Sequence, residues 1–134
     1  MRPQSSVTTS DARCRIAIAS VGVVFPTRSI SDVPRVADNT AAFNCRYAVA
    51  PGPKRWSVHA YGLAIDVDPV ENPYVLNGRV HPRAGRAYLN RSRIRPGMAY
   101  RGGLLVNAFA GVGWQWGGRW TASPDYQHFS ATGG

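Results

Sequence analysis

Two short segments that lie far apart in the chain together hold two of its three histidines and two of its seven acidic residues. The first is residues 57–66 (SVHAYGLAID), which include His59 and Asp66. The second is residues 125–129 (DYQHF), which add another aspartate and another histidine. Two imidazoles and two carboxylates can supply three metal ligands and leave one carboxylate as a base. A fold that uses these groups together must therefore bring both segments into contact.

The composition fits one loop-rich domain with a basic surface. The chain has 134 residues, 44% of them apolar, which is enough for one hydrophobic core. Its 14 glycines and 10 prolines favour loops over long helices, and no apolar stretch is long enough to span a membrane. The net charge of +9 favours polyanionic partners, either nucleic acid or an anionic bacterial wall. Charge alone does not choose between these two.

The seven acidic residues are scarce enough for their positions to be informative. Asp66, Asp68, Glu71 and Asp125 all lie in or beside the two segments. Aspartate is also common in turns for reasons unrelated to metal binding. We interpret the clustering as support for a metal site.

The two cysteines, Cys14 and Cys45, are too few to form a disulfide framework. They could pair in an exported protein. Neither belongs to a CxxC motif, so a cysteine zinc site is not expected. We favour two separate thiols, buried or unpaired.

The N-terminal part of the chain has two interpretations. Residues 1–12 are polar and aperiodic, which predicts disorder. Residues 16–25 form an apolar run behind two arginines, as in the core of a signal peptide. No small-x-small cleavage site follows closely, so we favour a buried strand over a signal peptide.

A strand is predicted at residues 63–68, where apolar and polar residues alternate. Its odd-numbered residues would face a core, and its even-numbered residues, Asp66 among them, would face the opposite side. Gly62 lets the chain bend before this strand, so that His59 can fold back toward Asp66.

The remaining pattern predicts a surface excursion, a helix and a strand. Residues 70–97 are rich in Pro, Gly and Asn, and they carry much of the basic charge. A helical spacing of apolar residues covers residues 101–110, and Gly111 and Gly113 would end this helix. Residues 114–120 predict a strand and a tight Gly-Gly turn, with the tryptophans in the core or in a pocket wall.

Chemistry assigns a role to each candidate residue. His59, Asp66 and His128 would form a His2Asp ligand set for zinc, although such a set also accepts other divalent metals. Asp125 would take a proton from the attacking water and pass it to a leaving amine. The alternative for His128 is an ordinary core histidine, and we interpret His81 as no ligand.

Five stretches of the chain together resemble the M15 family of zinc peptidases, the D-alanyl-D-alanine carboxypeptidase and L-alanyl-D-glutamate endopeptidase group. They are residues 39–46 (NTAAFNCR), 57–66 (SVHAYGLAID), 72–74 (NPY), 113–120 (GWQWGGRW) and 125–129 (DYQHF). They occur in the order that the family shows. Any one of them alone would be a weak signal.

This resemblance implies a fold, a site and a domain. The fold is the Hedgehog/DD-peptidase fold, an α+β domain whose small antiparallel sheet and flanking helices hold the zinc. Zinc would lie on His59, Asp66 and His128, with Asp125 as the base. Arg46 matches the family arginine that helps to bind the tetrahedral intermediate. Residues 39–134 would form the peptidase domain, and residues 1–38 match the family poorly, which suggests a partly disordered segment or a truncated or misplaced start.

The leading functional hypothesis is a zinc peptidase that cuts the stem peptides of peptidoglycan outside the cytoplasmic membrane or in the cell wall. It would act either as a D-Ala-D-Ala carboxypeptidase or as an L-Ala-D-Glu endopeptidase, and the sequence does not decide which. The alternative is a zinc-containing wall-binding module without catalysis. Nucleic-acid binding is not expected, because no nucleic-acid-binding motif accompanies the charge.

Overall fold

The computed structural model describes residues 40–49 and 52–134. In this part of the chain the strands are β1 (Ala64–Asp66), β2 (Tyr74–Leu76), β3 (Arg79–His81), β4 (Gln115–Trp116) and β5 (His128–Ser130). One α-helix, α1, spans Leu104–Gly111, and 3₁₀ helices span Val58–Tyr61, Arg83–Tyr88 and Gly117–Arg119. None of these helices is long and apolar enough to cross a membrane. The small antiparallel sheets and few helices confirm the predicted α+β class.

The main sheet joins the two segments that carry the candidate ligands. Its strand order is β1-β5-β4, with both pairs antiparallel. The register places Asp66 opposite His128 and Ala64 opposite Ser130. Directly opposed residues project their side chains on the same face of a sheet. Strand pairing alone therefore brings Asp66 beside His128.

The second sheet is a hairpin of β2 and β3 around Asn77 and Gly78. These two residues have φ angles of 50° and 72°, as a type I′ turn requires at both central positions. We predicted residues 70–97 only as a surface excursion, and the structure adds this hairpin and a 3₁₀ helix. The Asn-Gly pair was the sequence signal that would have indicated the hairpin.

The hydrophobic core lies between α1 and the main sheet. Ala99, Val106, Trp116 and Phe129 form its buried cluster, and Trp114 packs against it. This confirms that these tryptophans belong to the core or its edge. The predicted strand and Gly-Gly turn are present as β4 and the 3₁₀ helix Gly117–Arg119.

Helix α1 begins after Gly103 and ends at Gly111, in agreement with the predicted helix. Not all of the apolar residues whose spacing predicts this helix are buried, and Leu104 and Val112 are two exceptions. Leu104 is 87% exposed and Val112 is 71% exposed, whereas Val106 is the buried residue of the helix. The helix is short and lies at the edge of the sheet, so only a narrow stripe contacts the core.

The odd-numbered face of β1 lies toward the core, as predicted, because Ile65 pairs with the buried Phe129 and Val67 packs against the core cluster. The opposite face is covered as well. Ala64 is fully buried, whereas Leu63 is 40% exposed. The 3₁₀ helix Val58–Tyr61 contacts β1, and its His59 meets Asp66. The face that carries Ala64 and Asp66 is therefore also covered, because the chain folds back over it.

Asn72 connects the end of β1 to the loop before α1. It is fully buried. Its Nδ2 donates to the carbonyls of Val67 and Gly97 at 3.1 and 2.8 Å. Its Oδ1 accepts from the Ala99 amide at 2.6 Å and from the Arg91 guanidinium at 3.1 Å. One side chain thus satisfies four partners and fixes the loop geometry behind the site.

Cys45 is disulfide-bonded, so the prediction of an unpaired thiol at this position is wrong. Two cysteines are too few for a disulfide framework, but they are enough for one bond. Cys14, the predicted strand at residues 16–25 and the proposed N-terminal segment 1–38 lie outside the described residues.

Candidate metal centre

His59 is held by a 3₁₀ helix that is capped at both ends. At its start, the Ser57 hydroxyl accepts a hydrogen bond from the His59 amide at 3.3 Å. At its end, Gly62 has a φ of 68°, a left-handed conformation that glycine adopts without strain, and its amide bonds to the carbonyl of His59. The predicted bend at Gly62 is confirmed. It leaves the His59 side chain only 2% exposed and turned toward β1.

Three donor atoms from His59, Asp66 and His128 form a small triangle. His59 Nε2 lies 3.2 Å from Asp66 Oδ1 and 3.2 Å from His128 Nδ1. The third edge, from His128 Nδ1 to Asp66 Oδ1, is 3.3 Å. Tetrahedral zinc with bonds of about 2.0 to 2.1 Å separates neighbouring ligand atoms by about 3.3 Å. The triangle therefore has the size of one face of a tetrahedral metal site.

Hydrogen bonding alone does not account for the triangle. His59 Nδ1 lies 3.1 Å from the carbonyl oxygen of Ala42, which can only accept, so Nδ1 carries the proton. Nε2 of a neutral His59 then presents its lone pair to a carboxylate oxygen of Asp66. Two lone pairs at that distance require a cation or an additional proton between them. A divalent metal fits this requirement, and the Ala42 carbonyl is the kind of outer partner that orients metal-binding histidines.

The electrostatics of Asp66 also suit a ligand. Burial would raise the pKa of this carboxyl, but hydrogen bonds and charge interactions with His128 and His59 outweigh burial. They hold the pKa of Asp66 well below its usual range. Asp66 is therefore ionised, as metal ligation requires.

His128 presents Nδ1 to the triangle and turns its other nitrogen away. His128 Nε2 is buried and has no hydrogen-bond partner among the described residues. The ring lies 5.3 Å from the ring of Trp120, measured between centroids. The Trp120 ring thus packs near the His128 ring and restricts its orientation.

Asp125 lies beside the triangle and not in it. It is 8% exposed, and its Oδ1 is buried without a hydrogen-bond partner among the described residues. Burial first, and then the nearby charge of Asp66, raise the pKa of Asp125 well above its ordinary value. Hydrogen bonds from Gln127 and the charge of Arg46 oppose this rise. Asp125 is a buried carboxyl with an unused oxygen next to the candidate metal position.

Gly117 allows Asp125 and His128 to pack closely. The Asp125 amide donates to the Gly117 carbonyl at 3.1 Å. A β-carbon on Gly117 would lie 2.8 Å from the Asp125 carbonyl oxygen and 3.2 Å from the His128 β-carbon. No larger residue fits there without a shift of the backbone.

Arg46 and Tyr74 complete the surroundings of Asp125. The charge of Arg46 acts on both the Asp125 carboxyl and the Tyr74 phenol. Arg46 is placed by a short ladder in which the Ser57 amide donates to the Arg46 carbonyl at 2.9 Å. The ladder starts two residues before His59, so the same backbone positions a cation and a ligand.

The structure brings together the residues that the sequence selected. His59, Asp66 and His128 converge, and Asp125 and Arg46 lie around them, while His81 is on the exposed face of β3. Sequence reasoning missed two contributors, Tyr74 and the carbonyl of Ala42. The stretch at residues 72–74 pointed to Tyr74 without giving it a role, and no side-chain pattern reveals a carbonyl.

Comparison with known proteins gives one match. A family model described as D-alanyl-D-alanine carboxypeptidase matches residues 51–131, which is more than half of the chain. The matched region contains all three members of the triangle and Asp125. No curated protein and no solved structure matches the chain.

Proposed function

The chain belongs to the M15 family of peptidases, which confirms the resemblance seen in its motifs, and we propose that it is a zinc-dependent hydrolase of peptidoglycan stem peptides. The Hedgehog/DD-peptidase fold remains part of this proposal. The substrate places the protein outside the cytoplasmic membrane or in the cell wall.

The observation that carries the proposal is the triangle of His59, Asp66 and His128. Its edges of 3.2 to 3.3 Å match a tetrahedral zinc site, and its donor set is the one expected of a hydrolytic metal. The unused carboxyl of Asp125 stands next to it, as a base for hydrolysis must. A purely structural metal would need neither this carboxyl nor the nearby Arg46.

Zinc, when bound, would polarise the scissile carbonyl and lower the pKa of a water molecule. Asp125 would accept the proton of the attacking water and deliver it to the amine as the peptide C–N bond breaks. Its buried position makes it a stronger base than an exposed carboxylate. Arg46 would stabilise the negative charge that develops on the carbonyl oxygen.

Mass spectrometry of purified wall peptides, after incubation with the zinc-loaded protein, tests the function. Loss of a terminal D-Ala would identify a carboxypeptidase, and cleavage between L-Ala and D-Glu would identify an endopeptidase. A chelated sample is the control. If protein with bound zinc releases no chelator-sensitive product, the proposal is wrong.

Replacement of the base tests the role of Asp125. Asp125→Asn should lower kcat by at least about 10²-fold, because the attacking water loses its proton acceptor. Zinc content should not change, because Asp125 is outside the triangle. Asp68→Asn is the matched control, since Asp68 bonds to Thr40 and not to the triangle. Near-normal turnover of Asp125→Asn would remove Asp125 from the mechanism.

A second candidate is a wall-binding module without catalysis. The observation in its favour is the absence of any Asp or Glu between Glu71 and Asp125, where the sequence has eight arginines. Retention on the wall without any released peptide would support this function. We do not propose nucleic acid as a partner, and retention on DNA at low salt that exceeds retention on the wall would contradict that choice.

A further inference from the structure

Tyr74 stands directly opposite Asp125 across an antiparallel bridge between β2 and the segment before β5. The adjacent Val75 amide donates to the Pro124 carbonyl at 2.9 Å, which fixes this register. Directly opposed residues carry their side chains on the same face, with β-carbons about 4.5 to 5.5 Å apart. The Tyr74 ring and the Asp125 carboxyl therefore lie beside each other on the same face of this bridge.

The surroundings of the Tyr74 hydroxyl leave it available to a ligand. The side chain is only partly buried, and within the described part of the chain the hydroxyl takes part in no hydrogen bond. Burial, followed by the charge of Asp125, raises the pKa of Tyr74, and the charge of Arg46 opposes them. The phenol is thus protonated at neutral pH, and it lies within electrostatic reach of both Asp125 and Arg46.

We propose that Tyr74 donates a hydrogen bond to the scissile carbonyl oxygen of the substrate, next to Arg46. The inference rests on the proposed peptidase function. As the water oxygen bonds to the carbonyl carbon, the carbonyl π electrons move to the oxygen, and Asp125 takes the water proton. The electron pair returns when the C–N bond breaks, and the amine leaves with the proton held by Asp125. Tyr74 keeps its own proton throughout and stabilises the oxygen while it is negative.

A neutral hydrogen-bond donor would add to the stabilisation that Arg46 gives to the negative carbonyl oxygen. Removal of one donor from an oxyanion site typically costs about 10² to 10³ in kcat, because the donor acts on charge that exists only in the transition state. A phenol opposite the base is held by the backbone bridge, so its direction is set before the substrate binds.

The test compares Tyr74→Phe with Tyr88→Phe in the full chain. The first change removes only the hydroxyl beside Asp125. The second removes the hydroxyl of Tyr88, which lies at the end of the 3₁₀ helix Arg83–Tyr88 and stacks against the Arg95 guanidinium. For Tyr74→Phe we expect kcat to fall on the order of 10²-fold with little change in KM. Binding of a phosphinate dipeptide, which mimics the tetrahedral anion, should weaken by a similar factor. Zinc content and thermal stability should stay as in the wild type, and Tyr88→Phe should behave as wild type throughout.

Three results would overturn the inference. If kcat and phosphinate affinity of Tyr74→Phe are unchanged in an active protein, Tyr74 plays no such part, while the proposed function stands. If only KM rises, Tyr74 binds the ground state and not the developing anion. If the wild type binds zinc but cleaves no stem peptide, both the function and this inference fail.

Discussion

Two carboxylates at the site have opposite electrostatic environments. Asp66 faces two imidazoles, which keep its pKa low despite burial. Asp125 is buried near the negative charge of Asp66, which raises its pKa. Environments that separate two pKa values in this way distinguish an ionised group from a proton carrier. These environments fit the proposed roles, in which the same residue type serves as ligand at one position and as base at the other.

The raised pKa of Asp125 gives a pH-dependent stability in the metal-free protein. Because folding favours the protonated carboxyl, its ionisation destabilises the fold as pH rises from the pKa of the unfolded chain through that of the folded chain. Asn cannot ionise, so Asp125→Asn should lose less stability than the wild type as pH rises above about 4, the pKa of an unfolded aspartate. Thermal unfolding of chelated protein measures this difference.

Asp68→Asn is the control for this experiment, because it removes a carboxylate that bonds to Thr40 at the surface. Its stability should follow the wild-type curve. Parallel curves for Asp125→Asn and wild type would contradict the raised pKa of Asp125.

At the scale of elements, the site depends on close contact between the 3₁₀ helix Gly117–Arg119 and β5. Gly117 touches Asp125 and His128 at distances that exclude a side chain. The helix therefore sets the spacing between the base and one ligand. A small displacement here changes both groups together.

Substitution of Gly117 should change the spacing between Asp125 and His128. Gly117→Ala should cost on the order of 1 to 3 kcal/mol in unfolding free energy, because the backbone must shift, and it should weaken zinc binding and turnover. Gly111→Ala is the matched control, since a β-carbon there meets nothing within 4 Å. Calorimetry and zinc titration of both variants measure the effect. Wild-type zinc affinity in Gly117→Ala would show that the close contact is not required.

The buried Asn72 side chain, with its four hydrogen-bond partners, stabilises the loop between β1 and α1. Asn72→Ala should destabilise the protein by about 3 kcal/mol, because the buried Ala99 amide and the carbonyls of Val67 and Gly97 lose their partner. Asn107→Ala removes a single exposed hydrogen bond to Gly102 and should cost far less. Equal losses of unfolding free energy in denaturant titrations of the two variants would contradict the role of Asn72.

Sequence patterns predicted elements better than they predicted which individual side chains are buried. Gly62 and the Gly103–Gly111 region were recognisable, because turns and helix ends need particular residue types. The core face of β1 was predicted correctly, whereas the full burial of Ala64 on the other face was not, because its cover comes from a segment that folds back through tertiary contacts. Alternation shows that two faces differ, and it does not show which one another segment will cover.

The candidate ligands were predictable for a different reason. His59, Asp66 and His128 are donors that few positions of this chain offer, so residue type restricted the choice. Tyr74 was not selected, because its placement depends on the bridge to Asp125, which no local pattern encodes. The disulfide at Cys45 was missed since cysteine count alone does not report pairing.

At the scale of the whole molecule, positive charge is concentrated in the part of the sequence between Glu71 and Asp125. Two of its eight arginines lie against aromatic rings, Arg91 on Tyr126 and Arg95 on Tyr88. The other six are exposed: Arg79, Arg83, Arg86, Arg93, Arg101 and Arg119. Without nearby acids in this stretch, they create a positive field that favours an anionic surface.

Wall binding should therefore depend on salt. Retention on anionic wall should fall steeply as ionic strength rises past about 0.15 M, where charges are screened within about 8 Å. Combined Arg79→Gln, Arg83→Gln and Arg86→Gln substitution should weaken retention, while leaving kcat on a small soluble stem peptide unchanged. Sedimentation of wall with bound protein measures how retention changes with salt and with the substitutions. Retention that does not depend on salt would contradict electrostatic binding.

The most direct test of the metal centre is the zinc content and zinc coordination of the purified protein, compared with His128→Ala. X-ray absorption at the zinc edge should report one zinc per chain with two imidazole nitrogens and carboxylate oxygen among its ligands, at about 2.0 to 2.1 Å. His128→Ala should lose most of the zinc. Zinc held equally well by His128→Ala, or no zinc bound by the wild type, would contradict a metal centre built from His59, Asp66 and His128.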